Sequence, residues 1–310
     1  MNWPNTRNTC KAVRNNFQPP FRKVPCKGNP IKIPAGIVRR GSPFDNYMLN
    51  RLFTIKNQLM KRLLTLIVSS TFLVLSLSAQ VNSANPAAEG FNLKDSDSKA
   101  VKLADKVMKA MGGWKNWNDT RYIQWNFFGA RKLLWDKHKS RVRIESARDS
   151  MVYIVNLTDG SGKVFRKGVE MTNADSLAKY LPRGRSIWIN DSYWLTMPFK
   201  LKDSGVTLKY EGKGKTSAGA GAEILQLTFD HVGDTPQNKY LVYVDPKTNL
   251  VVQWDYFQNA TDAEPRMSTP WADYRQYGGI KLSGNRGKRE LSDIATPGKV
   301  DEKLFEELRP

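Results

Sequence analysis
The sequence predicts an α+β domain: a strongly curved antiparallel sheet, forming an open or incomplete β-barrel, with helices against its concave face. Three observations carry this. Apolar residues recur at helical spacing just after residue 97 and again at the C-terminal end, and between those stretches they alternate with polar residues at period 2. Gly and Asp turn signals separate the alternating runs at hairpin spacing. An order of helix, meander, helical or irregular insertion, meander and short helix packs most simply as one antiparallel layer curled around its helices.

The first helix is expected from about Ser98. Ala100, Ala104, Val107, Met108 and Met111 form one apolar stripe, with Asp97 able to cap the start and Gly112 the end. From Thr120 the period becomes 2: Ile123, Trp125 and Phe127 alternate with Gln124 and Asn126, then Val142 and Ile144 with Arg141, Arg143 and Glu145. Strands continue through 152–156 and 163–166, with turns at Gly129, Asp159-Gly160 and Gly168. Thr172 and Asp175 give a capping pattern for a turn of helix through Leu177, Ala178 and Leu181, which Pro182-Arg183-Gly184 should end.

The passage from Ile187 to Leu201 is the most apolar and aromatic of the chain after residue 84, and is read as a lid ending near Pro198 and Gly205. Strands resume at 206–210, 224–229, 240–244, 250–256, 271–277 and near 281–291. Leu225, Leu227 and Phe229 share one face, as do Val242 and Val244, and Val252, Trp254 and Tyr256. Gly212 to Glu223, GKGKTSAGAGAE, reads as a flexible, solvent-exposed hairpin loop. Val300, Leu304, Phe305 and Leu308 make the apolar side of a short closing helix.

Upstream, Met60 to Ala84 reads as a cleavable signal peptide. Lys61 and Arg62 form its basic region, Leu63 to Leu77 its uncharged apolar run, and Ser78, Ala79, Ser83 and Ala84 supply small residues for cleavage. The apolar run falls short of the ~20 residues a membrane-spanning helix needs, so a retained single-pass anchor is the alternative. Residues 1–59 carry eleven Lys and Arg against the single acid Asp45, +10 of the chain's +20. Rich in Pro and Asn and without periodicity, they are read as disordered, or as lying before a true start at Met60. A nucleic-acid partner is not expected there, because basic charge on its own is a weak nucleic-acid signal. Lys61 and Arg62 add two more, leaving +8 for residues 85–310, a single periplasmic or secreted domain, expected to be monomeric. Both cysteines, Cys10 and Cys26, lie upstream, so the exported part has neither a disulfide framework nor a thiol nucleophile.

The chemistry-bearing residues are sparse. His138 and His231 sit in no metal or nucleophile motif; the sequence around His231, Phe229 to Asp234, reads as a polar hairpin loop, and no metal or cofactor is expected. Asp255 and Asp273 are the best candidates for a paired-carboxylate enzyme. Alternation, however, puts Asp255 opposite Trp254 and Tyr256, where an outward, solvated acid accounts for it. With no nucleophile elbow or phosphate loop, the chain is read as non-enzymatic.

The hairpin YVDPKTNLVVQW, Tyr243 to Trp254, resembles the strand, Asp-x-x-Thr turn and strand of periplasmic outer-membrane lipoprotein carriers and their relatives. MGGWKNW (111–117), YWLTMPFKLKDSGV (193–206) and WADYRQYGGIKL (271–282) together resemble a group of secreted carrier-like domains of unestablished function in Gram-negative bacteria. The resemblance implies an incomplete barrel, filled and lidded by helices, whose hydrophobic concavity holds acyl chains. On this reading the ligand is a hydrophobic small molecule or a lipoprotein acyl chain, and the +8 charge steers the protein to an anionic membrane surface. The expected wall is Trp125, Phe127, Leu225, Leu227, Val242, Val244, Trp254 and Tyr256; the expected lid contacts are Trp188, Tyr193, Trp194 and Phe199. The rival readings are a secreted carbohydrate-active enzyme or sugar-binding module using the same aromatics as platforms, and a structural domain whose barrel its own side chains fill.

Overall fold
Alternating runs become antiparallel ladders throughout the computed structural model, which describes residues 84–309 together with Lys56 and Met60. Apart from Lys56, Met60 and Ala84, the upstream extension and the signal peptide lie outside the described residues. The chain divides into residues 1–77 and 78–310, and every element below belongs to the second unit.

The first sheet is built from β1 (Tyr122–Phe127), β2 (Arg131–Asp136), β3 (Arg141–Ser146), β4 (Met151–Asn156), β5 (Gly162–Arg166) and β6 (Val169–Glu170), with β14 (Leu291–Ala295) beside β1. Hairpins connect β1 through β6 in sequence order. The tightest is the two-residue turn Lys167-Gly168, both at positive φ, the type I′ geometry whose twist suits adjoining strands. Inward residues such as Ile123, Trp125, Val142 and Ile144 are fully buried, as period 2 dictates.

The second sheet orders β11 (Met267–Pro270), β10 (Val251–Phe257), β9 (Lys239–Val244), β8 (Gly221–Phe229) and β7 (Val206–Lys215). A two-stranded hairpin, β12 (Ala272–Tyr277) and β13 (Ile280–Asn285), links the two sheets. Trp271, between β11 and β12, donates its N–H to Val252 O at 2.8 Å, while Asn285 at the end of β13 bridges Glu290 just before β14. The result is the open, incomplete barrel expected from the sequence, with β6 and β7 as its unjoined ends. The β7 edge is covered by residues 88–97: Asn92 and Asp97 donate backbone N–H groups to Val206 O and Leu208 O at 3.1 and 2.9 Å.

Within residues 84–309 three α-helices accompany the sheets. α1 (Ser98–Ala110) buries the apolar stripe read from the sequence and packs on β7 and on a 3-10 turn, Met197–Phe199. α2 (Trp114–Asp119) is short. α3 (Ala174–Thr196) connects β6 to β7 and packs on β3, β4, β5 and β13.

α3 corrects the expectation of a single turn halted at Pro182-Arg183-Gly184. It is capped by Asn173, whose side chain accepts from Ser176 N at 3.1 Å, and it runs 23 residues straight through Pro182. A proline in a helix interior costs about 3 kcal/mol, chiefly by orphaning the carbonyl four residues back. Here that residue is Ala178, exposed like Pro182, on a part of the helix open to solvent where the cost of the freed oxygen is lowest. Gly184 faces the sheet: a Cβ there would lie 2.9 Å from Val155 Cγ2 and 3.1 Å from Tyr153 Cδ1. Its lack of a side chain lets the helix settle onto β4.

Two other expectations change. The hairpin read as a long loop over Gly212–Glu223 is mostly ladder, with β7 reaching Lys215 and β8 starting at Gly221. Asp255 is not solvated. It is 6% exposed and accepts from Tyr243 OH at 2.7 Å and Gln253 Nε2 at 2.8 Å, while Gln253 Oε1 takes Ser217 N at 2.8 Å. The β7–β8 turn folds over the outer face and seals this polar cluster; burial, with the bond to Asp255, raises the Tyr243 hydroxyl well above its usual range.

The C-terminal segment forms a 3-10 turn, Glu302–Phe305, against the outer face of the first sheet. Phe305 packs with Tyr122, Leu134, Ile154 and Phe165 in a cluster separate from the main core. Bonds from Lys139, Arg141 and Tyr122 hold the Glu302 carboxyl down to about 2 from its ordinary 4.5.

Two outcomes follow from this packing. Gly184→Leu forces side chain into the helix–sheet contact and should destabilise by about 1–3 kcal/mol, a loss of several degrees in Tm; an unchanged Tm would mean the contact is not tight. Because Glu302 is depressed in the fold, its contribution is complete above the ordinary value of 4.5 and fades as pH falls toward about 2. Glu302→Gln should therefore flatten the acid dependence of unfolding over that window, as read by denaturant titration at stepped pH.

Candidate functional site
The concave trough is solid at one end and open at the other. At the solid end Trp125 and Phe127 from β1, Leu225 and Leu227 from β8, and Val242 and Val244 from β9 all lie in the main core, none more than 7% exposed. At the open end is a cavity of about 630 Å³. The C-terminal half of α3, residues 200–206 and the β8–β9 loop surround it, and inward residues of β9, β10 and β11 form its floor.

The floor is aromatic because bulky inward positions from three neighbouring elements meet there. Tyr240 and Trp254 stack with ring centroids 5.0 Å apart at 24°, and Tyr193 of α3 lies over Trp254 at 5.9 Å and 30°. Tyr256 follows Tyr240 at 5.4 Å, and Phe229 meets Tyr240 edge-on at 5.8 Å. Such offset and edge-to-face pairs add about 0.5–1.5 kcal/mol each beyond area burial. Burial pushes the Tyr240 hydroxyl up to about 12 and that of Tyr193 well above its usual value, so both remain neutral at physiological pH.

The rim is polar. Arg185 and Asn190 of α3, the Lys200–Asp203 ion pair, Asp234 and Asn238 surround the rings. Asn238 is tied to Thr235 Oγ1 at 2.6 Å and accepts from Tyr256 OH at 3.4 Å. Arg185 has no carboxylate partner among the described residues.

Behind the floor stands Arg286, only 4% exposed. Its guanidinium lies 3.6 Å from the Trp271 ring centroid and donates to Trp194 O (2.7 Å), Ser283 O (3.0 Å), Ser283 Oγ (2.9 Å) and Asn285 O (2.7 Å). Trp271 in turn meets Trp254 edge-on at 5.2 Å. Burial lowers Arg286 to about 9, which leaves it charged at neutral pH. One side chain thus joins the β12–β13 hairpin, the C-terminal end of α3 and the aromatic floor.

Of the residues named from the sequence, Trp188, Tyr193, Trp194, Trp254 and Tyr256 come together at this cavity. Trp125, Phe127, Leu225, Leu227, Val242 and Val244 sit in the packed core instead, and Phe199 is stacked on Trp117 at 4.3 Å and 10°. The passage read as a lid is therefore two things. Its Trp188, Tyr193 and Trp194 face the cavity from α3, whereas Leu195, Met197, Phe199 and Leu201 anchor it in the core. Gly205 holds the next turn close, since a Cβ there would lie 2.6 Å from both Asp230 O and Val232 Cγ1. The candidate acids lie elsewhere: Asp255 is sealed on the outer face, and Asp273 is exposed beside Arg275. His231 is exposed next to Asp230, and His138 bonds Asn118 O. Tyr240, Met267 and Arg185 line the cavity without having been singled out, and Phe229, read on one face with Leu225 and Leu227, was left out of the expected wall. Extending the shared face of Val242 and Val244 to its strand end would have found Tyr240.

No protein-family model and no curated protein matches the chain. Among solved structures it is similar to a DUF1329 family protein from Desulfovibrio piger, at 12% identity over 66% of this chain and 96% of that one, with a TM-score of 0.38. It is also similar to MucB in complex with MucA(peri), at 14% identity over 66% and 58% of the two chains and a TM-score of 0.19. The Pseudomonas aeruginosa MucA/MucB complex gives 15% identity, 67% and 60% coverage and a TM-score of 0.21. Likenesses this distant leave the functional reading to the cavity.

Arg286→Lys keeps the charge but loses the planar fork and the stack on Trp271. It should destabilise by roughly 1–3 kcal/mol and weaken the near-ultraviolet circular dichroism of the tryptophans; a variant with unchanged spectrum and stability would remove Arg286 from this role.

Proposed function
We propose that residues 85–310 form an exported, non-enzymatic binding domain that holds a hydrophobic ligand, such as a lipid, an acyl chain or a lipoprotein's acyl group, in the open end of the barrel. The observation that carries this reading is the solvent-connected 630 Å³ cavity floored by stacked aromatic rings. Apolar surface left open in a concave site is what a hydrophobic ligand needs, and burying it releases about 25 cal/mol per Å². A barrel serving only as scaffold would have filled that space. The architecture also agrees with the one implied by the resemblance to outer-membrane lipoprotein carriers. Among the described residues no helix is long and apolar enough to cross a membrane. A periplasmic or secreted location remains part of the proposal and rests on the signal-like segment from Met60 to Ala84.

The ligand enters past Arg185 and the Lys200–Asp203 pair and lies along α3 against Tyr240 and Tyr256, with Trp254, 1% exposed, backing the Tyr240 ring. From Arg185 to Trp194 the helix covers about 13 Å at 1.5 Å per residue, a length suited to a chain rather than a compact head group. The sugar-binding alternative draws on Asn190, Asn238, Asp203 and Asp234 beside half-exposed rings. Binding of a pyrene-labelled fatty acid separates the two. Replacing Tyr240 and Tyr256 together with Ala should raise its Kd by roughly tenfold or more, matching the loss of at least 1.4 kcal/mol of ring contact. An unchanged Kd in the folded variant, or displacement of the probe by an oligosaccharide and not by unlabelled fatty acid, would overturn the lipid reading.

A further inference from the structure
The outer face of the first sheet carries a set of side chains that the cavity does not use. Asp136, fully buried, takes Arg121 Nε and Nη2 at 3.0 and 2.9 Å and Arg141 Nε and Nη2 at 3.2 and 3.1 Å. Thus oriented, Arg121 donates to Glu302 Oε1 at 2.9 Å, Tyr122 OH donates to the same oxygen at 3.0 Å, and Lys139 reaches Oε2 at 2.8 Å; Arg141 contacts Oε2 as well. Three residues further on, Phe305 enters the pocket of Tyr122, Leu134, Ile154 and Phe165, and the Arg141 guanidinium lies 4.2 Å from its ring centroid. Arg143, held by Glu145 at 2.6 Å, completes the grip with bonds to the backbone oxygens of Leu304 (3.0 Å), Glu307 (2.8 Å) and Leu308 (2.7 Å).

We propose that this face is a peptide-recognition surface for a segment with an acid followed three residues later by an aromatic. The chain's own Glu302–Phe305 occupies it in cis, and a partner protein carrying the same element displaces that tail. Each part of the site reads one feature. The Arg121–Lys139–Arg141 clamp reads a carboxylate, since without Glu302 it would face three cations with only Asp136 to balance them. The apolar pocket reads an aromatic ring. Arg143 reads main-chain carbonyls, so it grips any sequence that adopts the turn.

The site does not need the tail in order to exist. Asp136 and Glu145, both within the sheet, already hold the arginines, and the pocket residues belong to β1, β2, β4 and β5. The occupied cluster is separate from the main core, so the tail can leave without opening that core. Its tether, residues 296–300, includes the exposed Gly298 and Lys299. A tether this short presents the tail at an effective concentration on the order of millimolar, which sets what a partner in trans must overcome.

The test uses the full chain carrying Glu302→Ala and Phe305→Ala, with folding checked by circular dichroism, and a fluorescein-labelled peptide of residues 299–309. Saturable binding is expected, with the native chain weaker by about tenfold or more because its own tail competes. Replacing the peptide's Glu302 or Phe305 with Ala should likewise cost about tenfold or more. No binding to the folded variant, equal binding to the native chain, or indifference to the peptide substitutions would overturn the proposal and leave a structural clasp. Should the double variant not fold, a protease site placed at Gly298–Lys299 in the otherwise native chain gives the same answer. After cleavage excess peptide should chase the tail fragment from the protein, and a fragment that cannot be chased sinks the idea.

Discussion
Everything about the concave side depends on one seam. The two large sheets share no hydrogen-bonded ladder; they are joined through the β12–β13 hairpin, where the chain leaves β11 at Trp271 and approaches β14 at Glu290. A seam of two strands would ordinarily be a weak hinge. Here it is closed by Arg286, whose buried guanidinium bonds three backbone oxygens and one hydroxyl and lies on the Trp271 face. A buried cation without a carboxylate is expensive unless other groups replace its water. Four oxygen contacts do so for Nη1 and Nη2, with the ring beside them and Nε left without a partner among the described residues, and one of the oxygens, that of Trp194, belongs to the last turn of α3, where the helix dipole favours positive charge. The hairpin's position, the helix's end and the tilt of the Trp254 floor are consequently set together.

With the seam fixed, the trough's shape follows from where α3 can lie. Gly184 allows the helix to approach β4 closely, and Arg131 forms a paired contact with the fully buried Asp191 one helical stretch further on. Between these points the helix is pressed onto the first sheet. Towards its C-terminal end it spans to the second sheet instead, where Trp194 meets Phe128 of the β1–β2 turn on one side and Trp254 on the other. The helix fills the trough where it hugs the sheet, and the cavity lies where it bridges. The inward row of β8 and β9 passes from filled to open along the same strands, from Leu225 and Val242, fully buried, to Phe229 and Tyr240, half-exposed at the mouth.

This explains what the sequence made legible. Period 2 marks which face each residue takes, and that was enough for β1, β3, β8, β9 and β10, for the stripe of α1 and for the open-barrel class. It does not mark whether the inward space is occupied. Leu227 and Tyr240 are cross-strand partners with the same pattern, yet one is sealed and the other lines the cavity. Nor could local rules foresee α3, because its continuation through Pro182 depends on the solvent-exposed position of Ala178 and Pro182 and on packing at Gly184 that only the sheet supplies. Asp255 failed for the same reason. Outward was right, but solvated was not, since the cover comes from Ser217 and Tyr243, residues brought over it by the register of β7 to β10.

The aromatic floor has a cost that shows what kind of surface it is. Trp188 Nε1, Tyr193 OH and Trp254 Nε1 are buried without an oxygen or nitrogen partner among the described residues. A buried polar group left unpaired costs about 1–3 kcal/mol. The indole of Trp254 stands nearly perpendicular to those of Trp194 and Trp271, at 76° and 81°, and that of Trp188 at 68° to Trp135; edge-to-face ring packing of this kind does not stand in for the missing hydrogen bonds. Leucine or phenylalanine at these positions would fill the same volume without orphaned donors. A chain shaped by stability alone has no reason to prefer tryptophan and tyrosine there, whereas a surface that must stay rigid and wide while unfilled does. Large, two-torsion rings hold one another in place across a gap that aliphatic side chains would collapse to fill.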